Sequence, residues 1–217
     1  MDDVVAALRP LGTSTISDAL DRLGLIGQLP KVYPVLQGMR TAGRVFSIQY
    51  EPVDASGGTV GDYIDDVPSE DVLVLDNAAR TDVTVWGDIL TSVAHARGIQ
   101  GTVINGVCRD TDRIHELGYP VFSVGRWMRT GKDRVRMSAV NVPLTFGDIR
   151  VLPGDIAIGD DDGVVFVPAA RENEVVEAAL RIAEAEDTIR GVVAGGVRLD
   201  EARSKAGYHR LQSLQTR

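Results

Sequence analysis

Short apolar runs and helix-spaced apolar positions alternate along the middle of the chain. The runs are rich in β-branched residues, and the continuous run at 72–75 is typical of a strand covered on both faces. The segments between the runs carry apolar residues at helical spacing and end at a glycine, as helices commonly do. In chain order this predicts a strand at 72–75, a helix at 89–97, a strand at 102–104, a helix at 111–117 and a strand at 120–124. The order makes two consecutive βαβ units and therefore a parallel sheet.

The pattern changes on both sides of this parallel segment. Before it, Thr15-x-x-Asp18 resembles a capping box that begins a short helix ending at Gly24, and apolar residues at 45–50 indicate a strand. After it, polar and apolar residues alternate at 134–140, and short apolar runs at 156–158 and 164–167 are separated by tight turns. Short strands joined by tight turns predict a second, mostly antiparallel layer.

The C-terminal part is predicted to be helical. Residues 169–190 have the spacing of a long amphipathic helix, and residues 200–214 indicate a further helix. With no linker or repeat in the sequence, we expect one α/β domain over residues 1–190. We expect residues 191–217 to form a helical extension that contacts other subunits.

The length and composition of the chain are typical of a globular protein. It has 217 residues, of which 44% are hydrophobic and 25% charged. No apolar run approaches the ~20 residues that cross a bilayer, and the acidic N-terminus lacks the basic region of a signal peptide. The single cysteine, Cys108, is consistent with a reducing compartment. These features predict a cytoplasmic protein without membrane contact.

The net charge of −8 argues against a nucleic-acid partner, which usually needs a basic face. Only residues 126–136 are locally basic. We interpret that cluster as a solvated face or a subunit contact rather than a polyanion site.

Polar residues follow two neighbouring strands of the predicted parallel segment. Gly87 and Asp88 come before one helix, and the segment 105–110, which includes Arg109 and Asp110, comes before the next. Ligands of parallel α/β sheets sit beyond the carboxyl ends of strands, so these side chains are expected to share a cleft. Two carboxylates and a guanidinium suit a divalent cation together with an anionic substrate. The alternatives are that Asp88 and Asp110 merely cap their helices, that Arg109 is a surface residue and that Gly87 is a turn residue.

Five segments of the chain form a recognisable set: Ser17-Asp-Ala-Leu20, Gly101-Thr-Val-Ile-Asn-Gly-Val-Cys-Arg-Asp110, Pro120-Val-Phe-Ser-Val-Gly125, Val151-Leu-Pro-Gly-Asp155 and Asp161-Asp-Gly-Val-Val-Phe-Val-Pro168. In these segments the chain resembles the RraA-like family. The family contains class II 4-hydroxy-4-methyl-2-oxoglutarate aldolases and non-catalytic regulators of ribonuclease E. The aldolases carry an Asp, twenty intervening residues and then Arg-Asp, and Asp88 stands at that spacing from Arg109 and Asp110.

The resemblance implies a role for each of these residues. Asp110 would bind a divalent cation, Mg²⁺ or Mn²⁺, and Asp88 would hold a water on that cation. Arg109 would bind the substrate carboxylate in a bidentate fork. Backbone N–H groups around Gly87, at Ile89 and at Leu90 would help to hold the same anion.

The resemblance also implies a fold and an assembly. The fold would be a swivelling α/β/β sandwich, assembled as a homotrimer or homohexamer with the site near a subunit boundary. In some members a glutamate of the C-terminal helix reaches the neighbouring site. Glu186 is the candidate here, with Glu184 close to it in sequence.

The implied activity is cleavage of a 4-hydroxy-2-oxo acid to pyruvate, with oxaloacetate decarboxylation as a side activity. Both reactions pass through a pyruvate enolate, which a divalent cation stabilises as a Lewis acid. A lysine Schiff base is the other solution to this problem. Because none of Lys31, Lys132 and Lys205 is expected in the cleft, we disfavour that class.

Two features leave the function open. A protein-binding regulator on the same scaffold is the alternative, although it would not need Asp88, Arg109 and Asp110 together. Asn105 also stands where many relatives have an aspartate, so the residues behind the site are expected to differ.

Overall fold

The computed structural model describes residues 2–54 and 58–207. The described residues form eleven strands and six α-helices. The strands are β1 Gln28–Leu29, β2 Tyr33–Pro34, β3 Thr41–Pro52, β4 Val72–Thr84, β5 Gly101–Cys108, β6 Val121–Arg126, β7 Val135–Val140, β8 Leu144–Phe146, β9 Ile149–Val151, β10 Ile156–Asp160 and β11 Gly163–Val167. The helices are α1 Asp3–Leu8, α2 Thr13–Arg22, α3 Asp88–Ala96, α4 Thr111–Leu117, α5 Glu172–Ala194 and α6 Leu199–Ala206.

Eight strands follow one another in the main sheet, in the order β1-β11-β10-β3-β4-β5-β6-β2, and β7 pairs with β3. Strands β3 to β6 are parallel, which confirms the two predicted βαβ units. The long strand β3 joins the two halves of the sheet. Its residues 41–44 pair antiparallel with β10, and its residues 45–49 pair parallel with β4.

The two halves of the sheet pack face to face. Alternate residues of β10 and β11 point to opposite sides, as the pleat requires. Ile156 and Val165 belong to a core shared with α1, α2 and α5, whereas Ala157 and Phe166 belong to a core shared with β4, β5 and β6. At Gly159 a β-carbon would lie 2.7 Å from Phe122 Cζ on β6. The fold is therefore the expected sandwich, and its antiparallel and parallel layers are joined through β3.

Helix α2 begins at Thr13, before the predicted cap at Thr15. Asp160 accepts hydrogen bonds from the Thr13 backbone N–H at 2.8 Å and from Thr13 Oγ1 at 2.6 Å. The Thr15-x-x-Asp18 pattern is thus not the capping box, because a carboxylate from β10 satisfies the helix terminus.

The C-terminal helix α5 extends to Ala194, past residue 190, where we expected the domain to end. Helix α6 follows after a short turn, and the rest of the segment predicted as helix at 200–214 lies outside the described residues beyond 207. None of the described helices has the length and apolar character needed to cross a bilayer.

Candidate active site

The neighbouring parallel strands β4 and β5 bring the predicted residues to one edge of the sheet. Strand β4 ends at Thr84 and leads into α3, and β5 ends at Cys108 and leads into α4. Between the two strand ends, the Arg109 backbone N–H donates to the Trp86 carbonyl at 3.1 Å. This bond places Gly87 and Asp88 beside Arg109 and Asp110.

Trp86 fixes the turn that precedes α3. Its side chain is buried and stacks on Tyr119 with 6.2 Å between ring centroids. Its indole N–H donates to Thr91 Oγ1 at 2.9 Å, and that hydroxyl donates to the Gly87 carbonyl at 2.8 Å. A buried ring with a satisfied N–H holds its backbone firmly, so the first residue of α3 has a defined position.

Asp110 joins the other site residues through one carboxylate oxygen. Its Oδ2 accepts a hydrogen bond from the Asp88 backbone N–H at 3.2 Å and pairs with Arg109 Nε at 3.2 Å. The Asp110 backbone is left-handed, with φ 55° and ψ 45°, and its side chain caps no N–H of α4. The alternative that the Asp110 side chain caps α4 is therefore wrong. A non-glycine residue in this conformation costs free energy that the surroundings must supply, and such residues cluster at functional sites.

Asp88 lies at the first position of α3 and its side chain is exposed. Its Oδ1 accepts the Ile89 backbone N–H at 2.8 Å. In this conformation Asp88 itself takes up the N–H of Ile89, which we expected to hold the substrate anion. The helix N-terminus still favours an anion at this end of α3.

A cleft of about 470 Å³ opens beside these residues. It is lined by all five residues predicted to bind substrate or act in catalysis: Gly87, Asp88, Ile89, Leu90 and Arg109. Asp110 lines an adjoining pocket of about 250 Å³, together with Arg126, Trp127 and Met128. Arg109 lines both spaces, so it stands at their junction.

Two walls of the cleft were not predicted from the sequence. One is the loop at 58–65, which packs on α3 so closely that a β-carbon at Gly61 would lie 2.7 Å from Leu90 Cδ2. The other is the loop at 130–132, which places Lys132 at the cleft. Our expectation that no lysine lies in the cleft is therefore wrong. The locally basic segment 126–136 includes Lys132, but no local pattern places that segment beside the two strand ends, which are distant from it in sequence.

Asn105 lies inside β5 and not in the cleft. Strand β5 continues to Cys108, beyond its predicted end near 104, because bulges in β4 keep the pairing going. The Asn105 amide donates to the buried carboxylate of Asp76 at 2.8 Å, and the Gln49 amide donates to the same carboxylate at 3.2 Å. These residues form a polar row across three strands.

Glu186 lies on α5 and contacts α2 of its own chain. Thr15 Oγ1 donates to Glu186 Oε2 at 3.5 Å, and Arg190 pairs with the same carboxylate at 3.6 Å. Glu184 is exposed on the same helix. Within one chain neither glutamate lines the cleft or the adjoining pocket, so a contribution to a neighbouring subunit stays a prediction.

The residues present fit a cation that keeps most of its water. Among the described residues, no set of three or more His, Cys, Asp or Glu side chains is placed to hold a metal ion. Mg²⁺ in proteins commonly uses only one or two carboxylates and completes its coordination with water and substrate oxygens. In the described part of the chain no hydrogen bond reaches Asp110 Oδ1, which leaves that oxygen for such an ion.

Cys108 serves packing rather than chemistry. It is fully buried, burial raises the pKa of its thiol, and its Sγ lies 3.7 Å from Ser123 Oγ. A buried thiol with a raised pKa is a poor nucleophile.

The family model described as RraA-like, Aldolase/RraA, matches residues 13–166. Protein DlpA of Legionella pneumophila is 38% identical over 211 residues, which are 96% of this chain but 34% of that protein. The chain thus spans about a third of that relative. A protein of Halalkalibacterium halodurans named "Putative 4-hydroxy-4-methyl-2-oxoglutarate aldolase" is 29% identical over 188 residues, 87% of each chain.

Two solved structures are similar over nearly the whole chain. An uncharacterised protein from Pseudomonas syringae is 42% identical, with a TM-score of 0.87 over 93% of this chain and 96% of that one. RraAS2 of Streptomyces coelicolor, described as an unusual member of the RNase ES inhibitor RraA protein family, is 27% identical. Its TM-score is 0.78 over 88% of this chain and 96% of that one.

Proposed function

The chain belongs to the RraA-like family, and from this premise we propose that it is a divalent-metal-dependent pyruvate aldolase. Its substrate would be 4-hydroxy-4-methyl-2-oxoglutarate or a similar 4-hydroxy-2-oxo acid, with oxaloacetate decarboxylation as a side activity. One observation carries the proposal: Asp110 Oδ2 accepts the Asp88 backbone N–H and pairs with Arg109 Nε, beside the cleft that Asp88 and Arg109 line. The name given to the Halalkalibacterium halodurans relative supports the same reaction class.

Arg109 is the substrate-binding residue of this proposal. Its Nε pairs with the Asp110 carboxylate, and its terminal nitrogens donate no hydrogen bond to any of the described residues. A guanidinium fixed at one nitrogen presents the others to a carboxylate in a planar fork. The N-terminus of α3 adds its partial positive charge, so the 2-oxo acid carboxylate is bound between Arg109 and the start of α3.

Asp110 would hold the divalent cation, Mg²⁺ or Mn²⁺, through its free Oδ1. A cation there would supply Lewis-acid stabilisation for the negative charge that develops on the 2-oxo oxygen during cleavage. Asp88 is the exposed carboxylate beside this position. It would accept the proton of the substrate 4-hydroxyl, directly or through one water, as the C3–C4 bond breaks and C4 becomes a carbonyl. It would then deliver that proton to C3 of the enolate, which gives pyruvate.

The second candidate is a non-catalytic regulator of ribonuclease E activity. The similarity to RraAS2, whose description places it among RNase ES inhibitors, favours this candidate. A protein-binding surface needs neither a left-handed aspartate nor a glycine beside it, so the local geometry favours the lyase.

Release of pyruvate from a panel of 4-hydroxy-2-oxo acids and from oxaloacetate tests the proposal. The protein is assayed after chelation and again after Mg²⁺ or Mn²⁺ is restored. We expect activity that disappears with the chelator and returns with the metal. If no acid in the panel releases pyruvate with any metal, the lyase is rejected and inhibition of ribonuclease E becomes the experiment to do.

We also propose a closed homo-oligomer, a trimer or hexamer, in which Glu186 approaches a neighbouring site. Light scattering should give a mass that is a multiple of three times the 23.3 kDa protomer. A monomer at the concentration of the assay would remove Glu186 from the site.

A further inference from the structure

The loop that carries Lys132 is a tightly hydrogen-bonded turn. The Lys132 backbone N–H donates to Thr130 Oγ1 at 3.2 Å, and the Val135 N–H donates to the Gly131 carbonyl at 2.9 Å. The Arg134 guanidinium closes the turn by donating to the Lys132 carbonyl at 3.0 Å. The hydrogen bonds of the turn itself therefore set the position of the Lys132 backbone.

The same loop is attached to the strand that leads into the site. The Thr84 backbone N–H donates to the Arg129 carbonyl at 3.0 Å, and Thr84 Oγ1 donates to it at 3.2 Å. Gly131 is buried against Thr84, where a β-carbon would lie 2.3 Å from the Thr84 carbonyl oxygen. Because Thr84 is four residues before Asp88, the loop and the helix start are held by one piece of backbone.

Lys132 places a positive charge at the cleft. In the described part of the chain its ammonium forms no ion pair, although other basic residues are paired, such as Arg136 with Glu51 and Lys205 with Glu201. Its side chain is exposed, so the ammonium is accessible to an anion that enters the cleft. Lys132 lines the same cleft as Arg109, which the proposed function already assigns to the 2-oxo acid carboxylate.

We propose that Lys132 binds a second carboxylate of the substrate, at the end distal to the 2-oxo group. The inference rests on the proposed function and assigns a residue to the distal carboxylate that 4-hydroxy-4-methyl-2-oxoglutarate and oxaloacetate both carry. A lysine suits this task because its ammonium is a mobile point charge that can follow distal groups of different length. Lys132 acts as a specificity determinant, while Arg109 binds the carboxylate common to all 2-oxo acids.

The test compares a dicarboxylic with a monocarboxylic substrate. Lys132→Gln should raise the KM for 4-hydroxy-2-oxoglutarate about tenfold, the low end of what a charge-assisted hydrogen bond contributes. The kcat/KM for 4-hydroxy-2-oxopentanoate, which lacks the distal carboxylate, should stay unchanged. Lys132→Arg should restore most of the affinity, and Lys31→Gln, which removes an equal charge outside the cleft, should change neither substrate.

A binding measurement separates this inference from the proposed function. Calorimetry with 2-oxoglutarate and with 2-oxobutyrate needs no turnover, and Lys132→Gln should weaken only the binding of 2-oxoglutarate. Equal losses for both acids, or none for 2-oxoglutarate, would overturn the role of Lys132 even in an active lyase. Borohydride treatment with pyruvate must leave Lys132 unmodified; a reduced pyruvate adduct on it would assign it to covalent chemistry instead.

Discussion

The carboxylate of Asp110 leaves no room for a side chain at Gly87. A β-carbon at position 87 would lie 2.7 Å from Asp110 Oδ2 and 3.3 Å from Arg109 Nε. The glycine that precedes α3 thus permits the close approach of two strand ends. Its conformation, with φ −156°, is open to any residue, so the requirement for glycine comes from contact and not from backbone strain.

Gly87→Ala should therefore damage the site and leave the fold intact. The added methyl group pushes the Asp110 and Arg109 side chains away from Asp88, and displacements of about 1 Å can cost roughly 10²-fold in rate. We expect pyruvate release to fall by about that factor without a change in the thermal unfolding midpoint. Gly125→Ala is the matched control, because its β-carbon would meet only Val107 Cγ1 at 3.9 Å. Full activity of Gly87→Ala would show that Asp110 and Arg109 need not stay where the structure has them.

Asp88→Asn should lower kcat and leave KM nearly unchanged. Asparagine keeps the hydrogen bond from the Ile89 N–H but cannot take up a proton, and proton-transfer catalysis is typically worth about 10²–10⁴-fold. Steady-state kinetics on the 4-hydroxy-2-oxo acid identified in the panel measure both constants. Asp112→Asn, in the first turn of α4, is the control. A kcat within about twofold of the unmodified protein would reduce Asp88 to a residue that only stabilises the start of α3, where caps contribute about 1 kcal/mol.

The site residues contributed by strand ends could be predicted from the sequence, because a parallel βαβ unit places consecutive strand ends at one edge. Arg109 and Asp110 follow β5 directly, and Asp88 begins the helix after β4, so their proximity needs only correct strand order. The spacing of twenty residues between Asp88 and Arg109 indicated the family. The family in turn implied the sandwich fold. Both inferences needed only contacts between residues close in sequence, or contacts that every parallel βαβ unit makes.

Other features depend on contacts that no local pattern contains. Lys132 reaches the cleft because Gly131 packs on Thr84, a contact between residues 47 positions apart in the chain. Helix α2 begins at Thr13, earlier than the sequence predicted, because Asp160 accepts the Thr13 backbone N–H from 147 residues away in the chain. The end of β5 was misplaced for a related reason, since bulges in β4 decide how far the pairing extends.

Stability should respond to pH through Asp71. Burial raises the pKa of this carboxyl from 3.8 to about 6, and the Arg44 guanidinium lowers it only in part. Because the folded pKa exceeds the unfolded one, the group stabilises the fold below about pH 4, and this contribution is lost as the pH rises through about 6.

Asp71→Asn should remove this pH dependence. At pH 8 we expect the free energy of unfolding to rise by about 1 kcal/mol, well below the full linkage value because the side chain is half exposed. At pH 4 the gain should vanish. Urea unfolding at both pH values, with the exposed Asp66→Asn as control, measures the difference. A larger gain at pH 4 than at pH 8 would contradict the direction of the pKa shift.

Asp110→Asn should abolish aldol cleavage and oxaloacetate decarboxylation together. Asparagine is the conservative choice because it tolerates the left-handed backbone of residue 110, whereas alanine would add strain. Its amide oxygen can still accept from the Asp88 N–H, so what is lost is the negative charge that would hold the cation and that pairs with Arg109. Both activities should fall by roughly 10³-fold or more, since Lewis-acid stabilisation supplies several kcal/mol, and calorimetry should show lost Mn²⁺ binding.

Both reactions form the same pyruvate enolate, so one missing charge must affect them equally. A variant that still decarboxylates oxaloacetate but no longer cleaves the aldol would mean that Asp110 serves the aldol step alone, and the common enolate would have to be abandoned.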